Sequence, residues 1–577
     1  MKRLIYLAAL LLLAACGTPA NEEHTLHLLT TNDVHGRWFS SDYVGKSTRE
    51  SLLAVNWYVD SVRNAVGEEN VLLIDAGDCL QGDNASYYYN FVDTKSEHLF
   101  SRLVSYMKYD AVTVGNHDVE TGHAVYDRVR KDLKRHGIPF LAGNAIRNDN
   151  GKPYFEPYKV FRRAGLKVLV LGYTNANNPA WMDESLWSGM HFESLIPKVQ
   201  EDVDRLAAKE KPDVVIVSVH SATGKGNGKS LEAQGKDLYD SLKGVDFVVC
   251  SHDHRQVTMC NGKTALINTG NRAKFLGHGE LTVTLKKGKV ADKKISAGLI
   301  KVDKSRTDPV MKKAFQQDYE AVKAFSNKEI GALAMDLRTK DAYSGMCDYV
   351  NLIHTVSLKS SNAKVSFAAP LTYNGTIKAG VLVYNDLFTI YPFENQLYTM
   401  RMKGSEIKNY LEYSYRGWLA PLGKDHVLNI SRQDDPRNNQ TGWSFVNRTY
   451  NFDSAAGINY TVDITQPFGK RITIESMADG GAFNPDADYT VAMTSYRASG
   501  AGGMLTKGAG IPEEELEKRI LHRYPEIREL LYEFIEEYGL IDNTAVYNAK
   551  RNGAWKFIPE DEASRRIKAD LDLIFNP

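Results

Sequence analysis

Seven short apolar runs rich in β-branched residues punctuate the first half of the chain, at 25–31, 71–75, 111–114, 168–173, 214–219, 247–250 and 265–268. Apart from 25–31, where Thr and His interleave with Leu, their hydrophobicity is largely continuous rather than alternating, the mark of strands covered on both faces. Amphipathic stretches separate them, so the pattern predicts a layered α/β domain. From about residue 307 to 333 the sequence turns polar, with apolar residues at helical spacing (Val310, Ala314, Phe315, Tyr319, Val322). That spacing predicts a connecting helix. A further region, from about 344 to the end, has its own strand runs at 364–368, 396–402 and 489–493 and a helical pattern around 512–537. No internal repeat, low-complexity tract or coiled-coil heptad is present.

At 577 residues the chain exceeds any single small module. With 71 basic and 71 acidic side chains, bulk charge gives no case for nucleic-acid binding. The N-terminus opens with Lys2 and Arg3, an apolar run from 4 to 13, then Leu13-Ala14-Ala15-Cys16-Gly17. A run of that length falls short of the ~20 residues that span a bilayer. The pattern is that of a leader with a small-residue cleavage site, and the block ending at Cys16 resembles a bacterial lipobox. That resemblance implies lipidation of Cys16, an anchor in the bacterial cell envelope, periplasmic or at the outer membrane, and a short tether after it. The other cysteines, Cys79, Cys250, Cys260 and Cys347, include no CxxC pair. Cys250 and Cys260 flank a short connection, and their spacing leaves a disulfide and two free thiols equally open.

Two familiar patterns fail. Gly45-Lys46-Ser47-Thr48 imitates the end of a P-loop, but Ser40 stands where the upstream glycine belongs. Residues 499–503 do not complete GxGxxG, because position 505 is Leu505. Neither HExxH nor GxSxG occurs.

Five of the apolar runs end in metal-ligating residue types. Residues 25–31 lead into Asn32-Asp33-Val34-His35-Gly36, and 71–74 into Asp75-Ala76-Gly77-Asp78. Residues 111–114 lead into Gly115-Asn116-His117-Asp118, 214–219 into His220, and 247–250 into Ser251-His252-Asp253-His254. Ligands in layered α/β proteins bind beyond the carboxyl ends of strands, so five segments point to one place. Carboxylate, amide and imidazole together suit zinc, manganese, iron or cobalt better than calcium or copper(I).

In order and separation, Asp33-x-His35, Gly77-Asp78, Gly115-Asn116-His117-Asp118, His220 and His252-x-His254 resemble the calcineurin-like metallophosphoesterases. Within them the chain is most similar to the secreted two-domain 5′-nucleotidases, a family that includes UDP-sugar hydrolases and 2′,3′-cyclic nucleotide phosphodiesterases. The resemblance implies a four-layer α/β/β/α N-terminal domain and an α/β substrate-binding C-terminal domain joined by a helix. It implies two divalent ions, with Asp33, His35 and His254 on one, Asn116, His220 and His252 on the other, and Asp78 bridging. Some relatives carry Gln where this chain has His254, and either side chain can ligate. Two such ions would clamp phosphoryl oxygens and activate a water as the nucleophile. His117 would stabilise the transition state or protonate the leaving group, oriented by Glu120 where relatives have Asp. Asp118 and His123 are expected to support the site or lie on a helix surface, and the loop 224–229 to be a flexible surface segment.

In this family the C-terminal domain stacks the substrate's base between two aromatic rings, and Phe452 and Tyr496 match those positions. Two departures accompany them: the usual Gly-Gly-x-Arg is replaced around Asn374, and Gly502 stands where an acid that binds ribose hydroxyls is expected. The expected organisation is a signal peptide at 1–15, a tether at 16–24, a catalytic domain at 25–304, a linker helix at 305–343 and a substrate domain at 344–577. The implied activity is hydrolysis of phosphate monoesters, 5′-nucleotides foremost, outside the cytoplasm. The alternatives are cyclic phosphodiesterase or UDP-sugar hydrolase activity on the same metals, and a lipid-anchored binding protein without catalysis. A small phosphate ester is the expected partner, with membrane contact through the anchor; the sequence leaves oligomeric state open.

Overall fold

The computed structural model describes residues 22–45, 47–393, 395–433 and 441–576, so Cys16 lies outside the described residues. The chain divides into two compact units, residues 1–178 with 184–320 and residues 179–183 with 321–577.

The first unit is built on two six-stranded sheets. One has the spatial order Lys289–Lys301, Phe275–Lys286, Glu22–Thr31, Val71–Asp75, Ala111–Thr113, Phe140–Leu141. The other runs Gln256–Cys260, Ala265–Thr269, Phe247–Val249, Val214–Val219, Leu166–Tyr173, Tyr158–Arg163. The central strands of both are parallel. Leu26, Leu28, Leu72 and Ile74 of one sheet pack against Val168, Val170, Ile216 and Phe247 of the other, all fully buried. Thr113 and Ser218 bond across this core through their hydroxyls at 2.6 Å. The second sheet's outer face is covered by Leu195–Glu210 and Gly235–Ser241, through Val199, Val203 and Leu238. The helix Leu52–Val66 packs on the first sheet. The four layers are therefore α/β/β/α, which explains why most of the strand runs read as continuously apolar.

The second unit centres on a five-stranded mixed sheet ordered Ser454–Ala456, Val365–Ala368, Asp488–Thr494, Gln396–Lys403, Ile520–Glu526. The helix Gly404–Trp418 packs on it, with Phe367 and Tyr410 stacked at 3.9 Å between centroids.

Two stretches differ from the helical expectation. The polar helical segment stops at Ser326, and Glu329–Leu333 is a strand paired with Gly380–Val383 that buries Ile330 and Leu333. Ile520–Glu526 interrupts the predicted 512–537 helical pattern as an irregularly paired edge strand, a position where a sheet tolerates Pro525. In both, pairing with a distant strand outweighs local helical spacing. Cys79, Cys250, Cys260 and Cys347 are free thiols.

Candidate metal centre

Left-handed backbone concentrates where the strands end. Asp33 (φ 49°), His35 (φ 49°), Asp78 (φ 61°), His252 (φ 70°) and His254 (φ 58°) all adopt positive φ, a conformation that costs a residue with a Cβ of order 1–2 kcal/mol. Glycine is needed beside them: a Cβ on Gly115 would lie 2.1 Å from Asp78 Oδ1, and one on Gly77 would lie 2.7 Å from His220 Nδ1.

The strained turns assemble two adjoining donor groups. In the first, Asp33, His35 and His254 direct ligand atoms toward one another. His35 Nε2 is 2.9 Å from His254 Nε2, and Asp33 Oδ1 is 3.9 and 3.6 Å from those two atoms. The second group contains Asp78, His220 and His252, with Asn116 among them. Asn116 Oδ1 lies 2.9 Å from His220 Nε2 and 2.8 Å from His252 Nδ1, and Asp78 Oδ2 is 3.1 Å from His220 Nε2.

The electrostatics of this arrangement fit a cation. The Ala76 carbonyl sits 2.8 Å from His220 Nδ1 and accepts its N–H, which leaves Nε2 facing two oxygen acceptors. Either a proton or a metal ion must stand among those three atoms. With no metal, burial lowers the His220 pKa but the Asp78 carboxylate overrides it and raises the ring to about 9. Burial pushes the Asp33 carboxyl up to about 8, with Asp78 adding to the rise. Burial drives His254 down to about 3, and burial, then the His254 ring, hold His35 well below its ordinary value. His35 and His254 are thus held as the neutral imidazoles that metal ligation requires, whereas His220 and Asp33 each hold a proton that a bound cation would displace.

Around the ligand atoms stands a supporting shell. Asp118, fully buried, accepts the backbone N–H groups of Asp78, Cys79, Leu80 and Gly115 at 2.8–3.0 Å. Asn32 donates to Asp33 at 2.6 Å and accepts from Thr269, fixing the start of one turn to the end of a distant strand. Ser251 Oγ reaches both Ala76 O and His220 Nδ1 at 3.0 Å. Asn32, Asp118 and Ser251 lie inside the same strand-end motifs as the ligand candidates, which is the sequence signal for them. Glu232, 3.1 Å from His252 Nε2, and Arg272, whose backbone N–H donates to Asp33 O at 2.8 Å, carry no such signal.

His117 and Glu120 occupy one turn of helix, with Nδ1 and Oε2 2.5 Å apart. The half-exposed His117 ring lies 5.5 Å from that of His35, edge to face. His123 points elsewhere, to Asp127 and Tyr154. The loop at 224–229 is largely exposed.

In the second unit the structure corrects one expectation. Phe452 is 0 % exposed, stacked on Trp418 at 5.5 Å and edge-on to Phe445, so it offers no ring face to a base. Its burial follows from the aromatic cluster that fills this core. Tyr496 is half-buried, as is Tyr450, two residues before Phe452. Both are tied to Arg497, which follows Tyr496 in the chain and whose Nη2 donates to Tyr450 O at 2.6 Å. Arg497 is itself buried against Asp453 at 2.8 Å. The departure at Gly502 acquires a reason: it has φ 76°, and a Cβ there would lie 2.5 Å from Arg497 Nη1. The guanidinium fills the space an acidic side chain would need.

Residues 324–507 match the family model for the 5′-nucleotidase C-terminal domain, and 33–271 match one described as bacterial capsule synthesis protein PGA_cap. A trifunctional nucleotide phosphoesterase of Bacillus subtilis is 23% identical across 95% of this chain, which spans 40% of that protein's length. A 2′,3′-cyclic-nucleotide 2′-phosphodiesterase/3′-nucleotidase of Haemophilus influenzae is also 23% identical, over 92% of this chain and 87% of its own. Among solved structures, a Staphylococcus aureus protein assigned as a 5′-nucleotidase superposes with a TM-score of 0.74 at 21% identity, covering 92% of this chain and 99% of its own. Fold, C-terminal family model and relatives that span almost the whole chain agree: the chain carries a 5′-nucleotidase C-terminal domain and is similar over nearly its full length to two-domain nucleotide phosphoesterases.

Proposed function

We propose that the protein hydrolyses phosphate monoesters, 5′-nucleotides foremost, with two divalent cations held by Asp33, His35, Asp78, Asn116, His220, His252 and His254. The observation that carries this reading is the convergence of two adjoining N/O donor groups at the ends of five strands from two sheets. When bound, the two cations supply Lewis-acid charge for the phosphoryl oxygens and lower the pKa of coordinated water. Asp78 belongs to the second group: its Oδ2 faces His220 and its Oδ1 accepts the His117 backbone N–H at 2.8 Å. That bond fixes the helix carrying His117 relative to the proposed ligands. His117, with Nδ1 held by Glu120, delivers a proton to the leaving alkoxide oxygen, so that alcohol and inorganic phosphate depart. In the second unit, Tyr450 and Tyr496 replace Phe452 as the aromatic surface for a base.

A second reading, 2′,3′-cyclic phosphodiesterase with 3′-nucleotidase activity, is supported by the Haemophilus influenzae relative that spans nearly the whole chain. The same donor groups serve either reaction. The deciding experiment is phosphate release from chelator-stripped and metal-reloaded protein, assayed on 5′-nucleotides, 3′-nucleotides, 2′,3′-cyclic nucleotides and the mono- and bis-p-nitrophenyl phosphates. Metal-dependent release from 5′-nucleotides is expected. Turnover confined to diesters would select the second reading, and no metal-dependent turnover at all would overturn both. The block ending at Cys16 supports an extracytoplasmic, lipid-anchored location, and Cys16→Ser should move the protein out of the detergent phase.

A further inference from the structure

We propose that the first unit carries a separate site for a zinc-like divalent cation, formed by His27, His278 and Glu280 on two neighbouring antiparallel strands. His27 lies on Glu22–Thr31 directly opposite Glu280 on Phe275–Lys286, and His278 is its diagonal neighbour, opposite Leu29. The alternation of the strands places all three on one face. Leu26 and Leu28 enter the core between the sheets. A Cβ on Gly277 or Gly279 would strike Thr30 or Phe247 on that inner side. His27, His278 and Glu280 therefore share the outer face.

The separations are those of ligands around one ion. His27 Nδ1 is 3.1 Å from His278 Nε2 and 3.8 Å from Glu280 Oε2, and one ligand atom from each residue falls within 4.8 Å of the others. Bonds of ~2.0–2.1 Å at tetrahedral angles put neighbouring ligand atoms roughly 3.3 Å apart. A hydrogen bond between neutral rings accounts for the first distance alone. The carboxylate, at 3.8 Å, is too distant to hydrogen-bond His27 but lies within reach of an ion held by the two rings. The two rings are already stacked, with centroids 5.3 Å apart and planes inclined 28°. His27 is buried, His278 half-buried and Glu280 exposed, so two ligands are positioned by the fold and the third closes from the solvent side. That leaves a fourth position for water, and a set of two imidazoles and one carboxylate suits zinc.

This site is chemically independent of the strand-end cluster. His27 precedes Asp33 by six residues of largely extended chain, on the order of 20 Å. Its role is a clip: an ion there ties the first described strand to Phe275–Lys286, and so to the sheet on which Asp33 and Asp78 are mounted.

The test uses the full chain and zinc alone as ligand. Metal content and zinc titration calorimetry are compared for wild type, His278→Ala, Glu280→Gln and, to remove the strand-end centre, Asp78→Ala. Wild type should bind one more zinc per chain than His278→Ala, with kcat unchanged in that variant. Glu280→Gln, an exposed substitution that cannot disturb the core, should weaken the additional site by about 10-fold or more. The additional zinc, and the rise in melting temperature it produces, should persist in Asp78→Ala, whether or not the strand-end cluster holds metal. Equal zinc stoichiometry and equal zinc-induced stabilisation in wild type, His278→Ala and Glu280→Gln would overturn the proposal.

Discussion

The carboxylate of Asp118 accepts the backbone N–H of Asp78 at 3.0 Å. Asp118 faces the adjacent amides of Cys79 and Leu80 and, from its own helix, the amide of Gly115. One buried anion thereby holds the turn after Val71–Asp75 and the turn before the His117 helix in fixed relation. These bonds accompany the left-handed conformation of Asp78 and satisfy the buried amides of its turn.

Asp118→Asn preserves one carbonyl oxygen and turns the other acceptor into an NH2 group aimed at backbone donors. Stability should fall by about 2–4 kcal/mol, and bound metal should fall with it. Denaturant unfolding and elemental analysis check this. Wild-type stability and metal content in Asp118→Asn would remove the positioning role.

His117→Ala should keep its metals and lose roughly 10²-fold or more in kcat, the usual scale for a lost general acid or charge-stabilising group. Glu120→Gln, which leaves the ring in place but weakens its anchor, should lose less and shift the pH dependence of kcat. Steady-state kinetics on p-nitrophenyl phosphate and a nucleotide separate chemistry from base recognition. A His117→Ala enzyme with unchanged kcat would exclude the proposed proton transfer.

Phe452→Ala should destabilise the whole second unit by about 3–5 kcal/mol, because it empties part of a closed aromatic core. Tyr496→Ala should instead raise KM for nucleotides by ~1–3 kcal/mol equivalent and leave p-nitrophenyl phosphate nearly unchanged. Gly502→Asp should not create a sugar-reading acid. It should lower the melting temperature, since its side chain meets Arg497 at a positive φ. A stable Phe452→Ala protein with a selective nucleotide defect would reinstate Phe452 as a binding residue.

His354 supplies a clean pH dependence, remote in sequence from the proposed ligands. Its ring is buried between the hydroxyls of Ser366 and Ser454, at 2.7 and 3.2 Å, and burial pushes its pKa from 6.5 down to about 3. Between those values the unfolded chain binds a proton that the folded unit refuses. The stabilisation is thus complete above pH 6.5 and is lost as pH falls toward 3, with a slope of about 1.4 kcal/mol per pH unit inside that window. Urea unfolding of wild type and His354→Gln at a series of pH values should show a shallower pH slope in the variant. Identical slopes would show that His354 is not the titrating group.

Sequence alone determined the central strands and the polar residues at their carboxyl ends. The runs at 71–75 and 214–219 coincide with strands residue for residue, because a strand covered on both faces must be apolar throughout and local composition records that requirement. It also placed Asp33, His35, Asp78, Asn116, His220, His252 and His254 at strand ends, since each lies within a few residues of an apolar run. Only the tertiary structure decided which of the residues flanking those runs support the site. In sequence Asp118 can either support the site or lie on a helix surface, and its hydrogen bonds to the turn at Asp78 select the first. Phe452 and Tyr496 read as equivalent in sequence, yet one is sealed by Trp418 and Phe445 and the other is half-open. The strand Ile520–Glu526 and the cross-strand trio His27, His278 and Glu280 are equally invisible there, because register between segments more than 100 residues apart leaves no local pattern. Composition and periodicity encode what a residue's own element demands of it, whereas burial and pairing depend on which distant surface the completed fold brings against it.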